Sequence, residues 1–277
     1  MTVTNISPDR AIQTDIEQIA TSYYDQESDL SHDHLGVGEF DPAVLALPGY
    51  IRDALITAEV QRMETAQVGL ILDALGPVRP TDRLLDAGCG RGGTSVMIHE
   101  RFGCRVDGVS LSTGEVDFAA EQAEHRGCAA EVQFHHRDMC ATGFPDGSFD
   151  HVVANETDMY VDLHEAYREV ARVLAPGGRF VLVTLCCNDA LDPYSAEARE
   201  IDAHHPGSHT KPRSHILDAL TDAGLAPRIV RDVTEAPLEY LQLRAESAER
   251  TGVEKSYYEG FTNGTIAYLT IVAERVR

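Results

Sequence analysis

The chain is short of positive charge. Its 277 residues carry 23 Lys and Arg against 45 Asp and Glu, a formal charge of −22 at neutral pH. A contiguous basic face for a phosphate backbone is hard to assemble from that stock, so nucleic acid is not an expected partner. A small anionic substrate is not excluded, because exposed charges are screened beyond about 10 Å at moderate salt and the local pocket decides. Long hydrophobic runs are missing too. No apolar stretch approaches the roughly 18 residues needed to cross a bilayer, and the opening MTVTNISPDRAIQTD lacks the basic-then-apolar pattern of a secretion signal. No membrane partner is expected, and the cytoplasm is the expected location. The six cysteines, at 89, 104, 128, 140, 186 and 187, include no CxxC pair. Cys186 and Cys187 are adjacent and poorly placed to pair with each other, so reduced, mostly buried thiols are expected. Internal repeats and low-complexity tracts are absent as well.

What the chain has is an ordinary globular share of hydrophobic residues, 43%, enough for one decorated α/β domain or a domain with a small cap. Leu84–Gly93, LLDAGCGRGG, organises it: two leucines and an aspartate run into a loop with glycines at 88, 90, 92 and 93. An apolar run before such a loop reads as a buried parallel strand turning into a helix, here beginning near Thr94 and carrying Val96, Met97, Ile98 and Phe102. Glycines let a ligand approach the backbone with no Cβ in the way. Gly88, Gly90 and Gly93 also satisfy the GxGxxG of dinucleotide folds. Asp86 argues against that reading, since a carboxylate there suits an ammonium or sulfonium ligand and repels a pyrophosphate. The dinucleotide fingerprint also wants an acid about 20 residues on. There the end of the second strand, Arg105–Leu111, offers Ser110.

Along the chain, Ile16–Tyr24 reads as an amphipathic helix, and the polar stretch after it, holding His32, His34, Gly36 and Gly38, as a loop. Residues 16–40 are then either a surface linker or a lid over the ligand, with Tyr23 or Tyr24 supplying an aromatic face or hydroxyl. One long helix over Ile51–Leu75 is ended by Gly76-Pro77. Strands are expected at 83–87, 105–111, 131–136, 149–154 and 179–185, with helices over 94–102, 113–126 and 163–174. That alternation means a parallel sheet whose ligand crevice lies beyond the carboxyl ends of the strands. Residues 189–215 have few large apolar side chains and four histidines, and read as an insertion over the sheet edge. A helix over 216–223, a strand over 228–233, a helix over 238–251 and a closing strand over 264–274 complete the reading. The arm and lid take residues 1–50 and the main domain 51–277, with a cap insertion at about 186–215.

With RDM at 137–139, SFDHVVANE at 148–156 and VLAPGGRFVLVT at 173–184, the glycine loop resembles the nucleotide-binding core of class I S-adenosylmethionine (SAM)-dependent methyltransferases. The resemblance implies an α/β, Rossmann-like fold with a mostly parallel seven-stranded sheet, helices on both faces, and SAM as cofactor. Asp86 then takes the methionine ammonium, and Gly88 and Gly90 make room for its chain. Ser110 and Leu111 stand where many of these enzymes bind the ribose, with Ser110 in place of the usual acid. Glu115, one helical turn later, either reaches back as a substitute acceptor or is a solvated helix face. Asp138 and Met139 suit the adenine, through a carboxylate acceptor and a packing thioether. Asn155 and Tyr24 complete the implied cofactor contacts.

The most specific motif is Asn155–His164, NETDMYVDLH. A glutamate at the crevice mouth is poorly suited to a second anion and better used as a base or a cation's partner. With Tyr160 and His164 it makes a polar, partly aromatic wall. Together with DAGCGRGG, the FG-R-V-GV-LS pieces at 102–112, IDAH at 201–204, and LRA and TGVEKSY within 243–257, the chain resembles the actinobacterial prenyl-diphosphate C-methyltransferases from about Ile16 onward. This implies SAM-dependent methylation of the alkene of isopentenyl or geranyl diphosphate, in terpenoid biosynthesis. Glu156 would deprotonate the resulting carbocation, with Tyr160 and His164 as its catalytic neighbours. Cation–π support would come from Tyr160, with Tyr257, Tyr258, Phe261 and Tyr268 either helping or simply core. Lys211, Arg213 and Arg244 would hold the diphosphate; His32 and His34 either touch it or are ordinary loop histidines. Mg²⁺ bridging the phosphates is implied too, with no ligand assigned. The segment between Tyr24 and His32 is short for the family, which leaves the prenyl length open. An O- or N-methyltransferase of small natural products is the alternative, with Glu156 or His164 deprotonating a hydroxyl. A protein that only binds SAM would not need Asp86, Gly88, Gly90 and a polar pair at 155–156. A homo-oligomer is compatible with all of this.

Overall fold

Residues 34–276 are described by the computed structural model, and every structural statement below concerns them. In the strand Arg83–Ala87 (β1) two successive leucines are buried on opposite sides. Leu84 joins a cluster with Ile56, Val60 and Ile71, whereas Leu85 joins one with Tyr167, Val170 and Leu220. The same period of two sends Val181 and Val183 one way and Phe180 and Leu182 the other. A sheet apolar on both faces must be covered by helices on both.

The sheet has seven strands in the order β3-β2-β1-β4-β5-β7-β6. They are β1, β2 (Arg105–Ser110), β3 (Val132–His136), β4 (Phe149–Asn155), β5 (Leu174–Cys187), β6 (Leu225–Asp232) and β7 (Ile266–Arg275). β1 pairs in parallel with β2 and β4, β2 with β3, and β4 with β5. β7 runs antiparallel to both its neighbours, so its beginning lies where the other strands end. Tyr268, third residue of β7, thus sits opposite Leu185 at the crevice end of β5.

The helices are α1 (Gly49–Leu75), α2 (Gly93–Phe102), α3 (Thr113–His125), α4 (Leu163–Val173), α5 (Ala196–His204), α6 (Arg213–Asp222), α7 (Leu238–Ala245) and α8 (Glu254–Asn263). Ser112 and Asp162 cap α3 and α4 by accepting from Glu115 N and Glu165 N. α1 begins two residues before the expected Ile51, since Pro48 is extended (φ −81°, ψ 138°) and the helix starts directly after it. A boundary at 50/51 therefore falls inside a helix whose Ile56, Val60, Met63, Ile71 and Leu75 belong to the main core.

The cap insertion contains α5, capped by Ser195, whose hydroxyl accepts from Ala198 N at 3.1 Å. One other expectation is revised. The helix expected over 238–251 stops at Ala245, and α8 follows where none was expected. Its sequence EKSYYEGFTN is polar and interrupted by Gly260. That glycine is needed for packing, because a Cβ there would meet Ile266 Cδ1 at 2.6 Å. No helix among the described residues is long and apolar enough to cross a membrane.

Candidate active site

The strand order reverses on either side of β1 and β4, which opens a crevice beyond their carboxyl ends. A cavity of about 300 Å³ fills it. On one side stands Asp86, fourth residue of β1 and 1% exposed. Ser95 Oγ donates to its Oδ2 at 2.6 Å, yet burial still pushes the carboxyl up to about 6. A buried carboxylate stabilised by one neutral hydroxyl is a site for an ammonium, which fits the methionine end of SAM. Gly88 (φ 81°) lets the loop press against residue 157, where a Cβ would meet Thr157 Cγ2 at 2.5 Å. Across the cavity, Ser110 Oγ donates to Glu115 Oε2 at 2.6 Å, while Ser112 Oγ accepts from Glu115 N at 3.1 Å. Glu115 is therefore buried at the cavity wall, not solvated on its helix. Leu111 and Met139 line the same side.

Glu156 is the one non-glycine residue with positive φ, 55°, among the described residues. Backbone strain of this kind persists only where the surroundings enforce it. Here Glu156 N donates to Val183 O at 2.8 Å, Leu35 N donates to its Oε1 at 3.2 Å, and Tyr268 Oη donates to the same oxygen. Gln67 Nε2 donates to Tyr268 Oη at 2.6 Å and to Asn155 Oδ1 at 2.8 Å, and Asn155 Nδ2 returns a bond to Gln67 Oε1 at 3.0 Å. Leu35, Met159, Tyr160, Leu241, Val253 and Tyr257 give this part of the cavity an apolar and aromatic wall. Tyr257 Oη lies 3.2 Å from His205 Nε2. Burial, with His204 adding to it, lowers the His205 pKa to about 4, so its imidazole is neutral at physiological pH.

At the polar end, Arg244 Nη1 stands 3.1 Å from Glu249 Oε2 and 3.5 Å from Glu64 Oε1, to which Tyr240 Oη also donates at 2.9 Å. Glu254 accepts from Thr251 N and Gly252 N, both at 2.7 Å. No group of three His, Cys, Asp or Glu able to hold a metal ion occurs among the described residues. Mg²⁺ binds readily with one or two carboxylates when phosphates and waters complete its shell. Glu64 and Glu254, both on the cavity with Arg244, suit that role.

The cavity gathers Asp86, Gly88, Gly90, Ser110, Leu111, Glu115, Met139, Asn155, Glu156, Tyr160, Arg244 and His34. It does not gather four others. Asp138 ends β3's loop in a turn, its Oδ1 accepting from Cys140 N at 2.8 Å. His164 lies on the outer side of α4, because Leu163, Ala166, Tyr167 and Val170 take the sheet side. Its ring packs on His215 and its Nδ1 is 3.9 Å from Asp222, off the cavity lining. Lys211 points its Nζ at the backbone, donating to Asp158 O and Met159 O at 3.0 Å each. Arg213 starts α6 beside Cys186 and Asp189. Tyr24, His32 and the lid helix over 16–24 lie outside the described residues. Gln67, Glu64, Tyr240 and Glu254 escaped the sequence reading, and Tyr268 was read only as an aromatic ring. The available signal was two polar residues, Glu64 and Gln67, on the buried stripe of α1.

A family model described as a methyltransferase domain matches residues 85–182. The geranyl diphosphate 2-C-methyltransferase of Saccharopolyspora erythraea is 45% identical over 88% of this chain and 86% of that protein. The chain belongs to the geranyl diphosphate C-methyltransferase family. A geranyl diphosphate methyltransferase solved in complex with GPP and sinefungin superposes with a TM-score of 0.89 at 38% identity, covering 95% of this chain and all of that one. The Streptomyces coelicolor A3(2) geranyl diphosphate C-methyltransferase, solved with Mg²⁺, geranyl diphosphate and S-adenosyl-L-homocysteine, does so at 0.89 and 37%, covering 94% and 98%. The class I SAM-dependent methyltransferase fold and the enzyme class follow.

Proposed function

We propose that the protein transfers a methyl group from SAM to carbon 2 of geranyl diphosphate, with Glu156 removing a proton from the methylated carbon. The observation that carries the reading is the placement of Glu156: a carboxylate on strained backbone, between the buried Asp86–Glu115 side of the cavity and an aromatic wall. When bound, SAM supplies an electrophilic methyl on its sulfonium. Asp86 pairs with the cofactor's ammonium and Glu115 accepts from its ribose hydroxyls. Arg244 holds the diphosphate, with Glu64 and Glu254 holding a Mg²⁺ that neutralises it. The alkene's π electrons form the new C–C bond as the methyl–sulfur bond breaks and its electron pair stays on sulfur, so S-adenosylhomocysteine leaves and a tertiary cation remains on carbon 3. Glu156 stabilises that positive charge in a water-poor site where electrostatics are strong, and the rings of Tyr160 and Tyr257 add cation–π attraction. The carboxylate then takes the proton from carbon 2, and the C–H electron pair restores the double bond.

The test is mass spectrometry of reactions holding enzyme, SAM and Mg²⁺ with geranyl, isopentenyl, dimethylallyl or farnesyl diphosphate, and with geraniol as control. A product one CH₂ heavier from geranyl diphosphate, and none from geraniol, is the expected result. Methylation of geraniol in preference would overturn the reading. Glu156→Gln is expected to bind SAM normally while turnover falls about 100-fold or more.

A further inference from the structure

We infer that Tyr268 is the positioning residue of the base: its phenol, aimed by Gln67, anchors Oε1 of Glu156 and so fixes the orientation in which the carboxylate meets the substrate proton. This rests on the reading above. Gln67 is fully buried on a helix face it shares with Met63, Glu64, Val68 and Ile71. An amide there is destabilising unless its donors and acceptor are used, and all are. Its Nε2 serves Asn155 Oδ1 and Tyr268 Oη, and its Oε1 receives Asn155 Nδ2. Tyr268 has one proton to give. With a donor already pointing at its oxygen from Gln67, that proton goes to Glu156 Oε1. Leu35 N donates to the same oxygen.

Two donors thus converge on Oε1, which holds the side chain in one orientation. The C–H bond at carbon 2 breaks, its electron pair becomes the alkene, and the proton ends on the carboxylate. The groups that do this come from α1, β4 and β7, which shows how the antiparallel β7 enters the chemistry: its early residues reach the crevice.

The experiment compares wild type with Tyr268→Phe, which keeps the ring and its packing, and with Gln67→Leu. Steady-state kinetics and product analysis are run with SAM, Mg²⁺ and geranyl diphosphate. In Tyr268→Phe, kcat is expected to fall about tenfold or more while KM for both substrates stays within about threefold of wild type. A misaligned base also leaves the cation open to water, so a methylated tertiary alcohol should appear, its oxygen from water and the surplus proton released to solvent. Gln67→Leu should show the same product shift to a smaller degree. Wild-type kcat and product ratio in Tyr268→Phe would overturn the inference, as would a loss confined to KM. If Tyr268→Phe does not fold, Gln67→Leu carries the test alone, and an unchanged product ratio there overturns it. A wild-type enzyme that methylates no geranyl diphosphate would instead remove the underlying reading.

Discussion

Ser110 Oγ donates to Glu115 Oε2 at 2.6 Å across the turn between β2 and α3. The strand end that lacks an acid thus recruits one from the next helix and fixes its direction. Hydrogen bonds between a charged carboxylate and a ligand hydroxyl contribute about 1.5–3 kcal/mol. Glu115→Ala should therefore raise the SAM Kd by roughly 10- to 100-fold, with KM for geranyl diphosphate unchanged. Calorimetric titration with SAM checks the first and steady-state kinetics the second. Unaltered SAM affinity would return Glu115 to the role of a buried cap.

Asp86 gives a pH dependence whose sign can be worked out. Its carboxyl is pushed up to about 6 by burial, and an ammonium pairs only with the ionised form. Between about pH 6 and 7 the carboxylate is ready, the cofactor's amine is still protonated, and SAM affinity should be flat. Below that range each binding event must first expel a proton, so Kd rises towards tenfold per pH unit. Titration calorimetry in two buffers of different ionisation enthalpy should show proton release near pH 5 that fades by about pH 7, below the range where the cofactor's own amine titrates. Asp86→Asn should bind weakly and without this dependence. If the wild type releases no proton at low pH, the ammonium lies elsewhere.

Much of this molecule is legible in its sequence because two strong periodicities coincide there. The short apolar strands before Gly88, Ser110 and Asn155 fix the parallel core, and the crevice rule then points to residues just after each strand. Asp86, Glu115, Asn155 and Glu156 reach the cavity for that reason. The misses share a cause as well. Lys211 looks like a free cation because nothing near it in sequence reveals that the backbone of residues 158 and 159 faces it. Tyr268 looks like core because an alternating strand hides which side of a ring carries a used hydroxyl. His164 looks catalytic by its closeness to Glu156 in the motif, but helix periodicity turns it outward. Contacts made by side chains over long sequence separations leave no local signature.

Lys211 pins the cap to the cavity floor. Its Nζ donates to Asp158 O and Met159 O, and Met159 O also accepts from His209 N at 2.9 Å. These bonds hold the short helical turn that carries Met159 and Tyr160. Lys211→Met keeps the aliphatic stem and loses the donors, which should destabilise the fold by about 1–3 kcal/mol. That corresponds to a Tm lower by roughly 2–4 °C per kcal/mol for a chain of this size. Turnover should fall with it through Tyr160, and KM for geranyl diphosphate should move no more than KM for SAM. A selective rise in the diphosphate KM would make Lys211 a substrate ligand after all.

Arg244 carries the opposite expectation. It lies on the cavity wall, held by Glu64 and Glu249, where a diphosphate of several negative charges would otherwise meet Glu64, Glu156 and Glu254 in a chain of net charge −22. Charge-assisted bonds from a guanidinium to phosphate contribute about 1.5–3 kcal/mol each. Arg244→Leu should accordingly raise KM for geranyl diphosphate by about 100-fold, with SAM Kd within threefold of wild type. Arg244→Lys should recover part of the loss, because an ammonium supplies the charge without the planar fork. Raising Mg²⁺ should narrow the gap between Arg244→Leu and wild type, since both cations answer the same phosphate charge. Removing Arg244 also leaves Glu64 without its guanidinium, so Tm will drop as well. The ratio of the two substrates' affinities separates the effects: a folding defect lowers the active fraction and leaves both affinities alone, whereas loss of a phosphate ligand moves one of them.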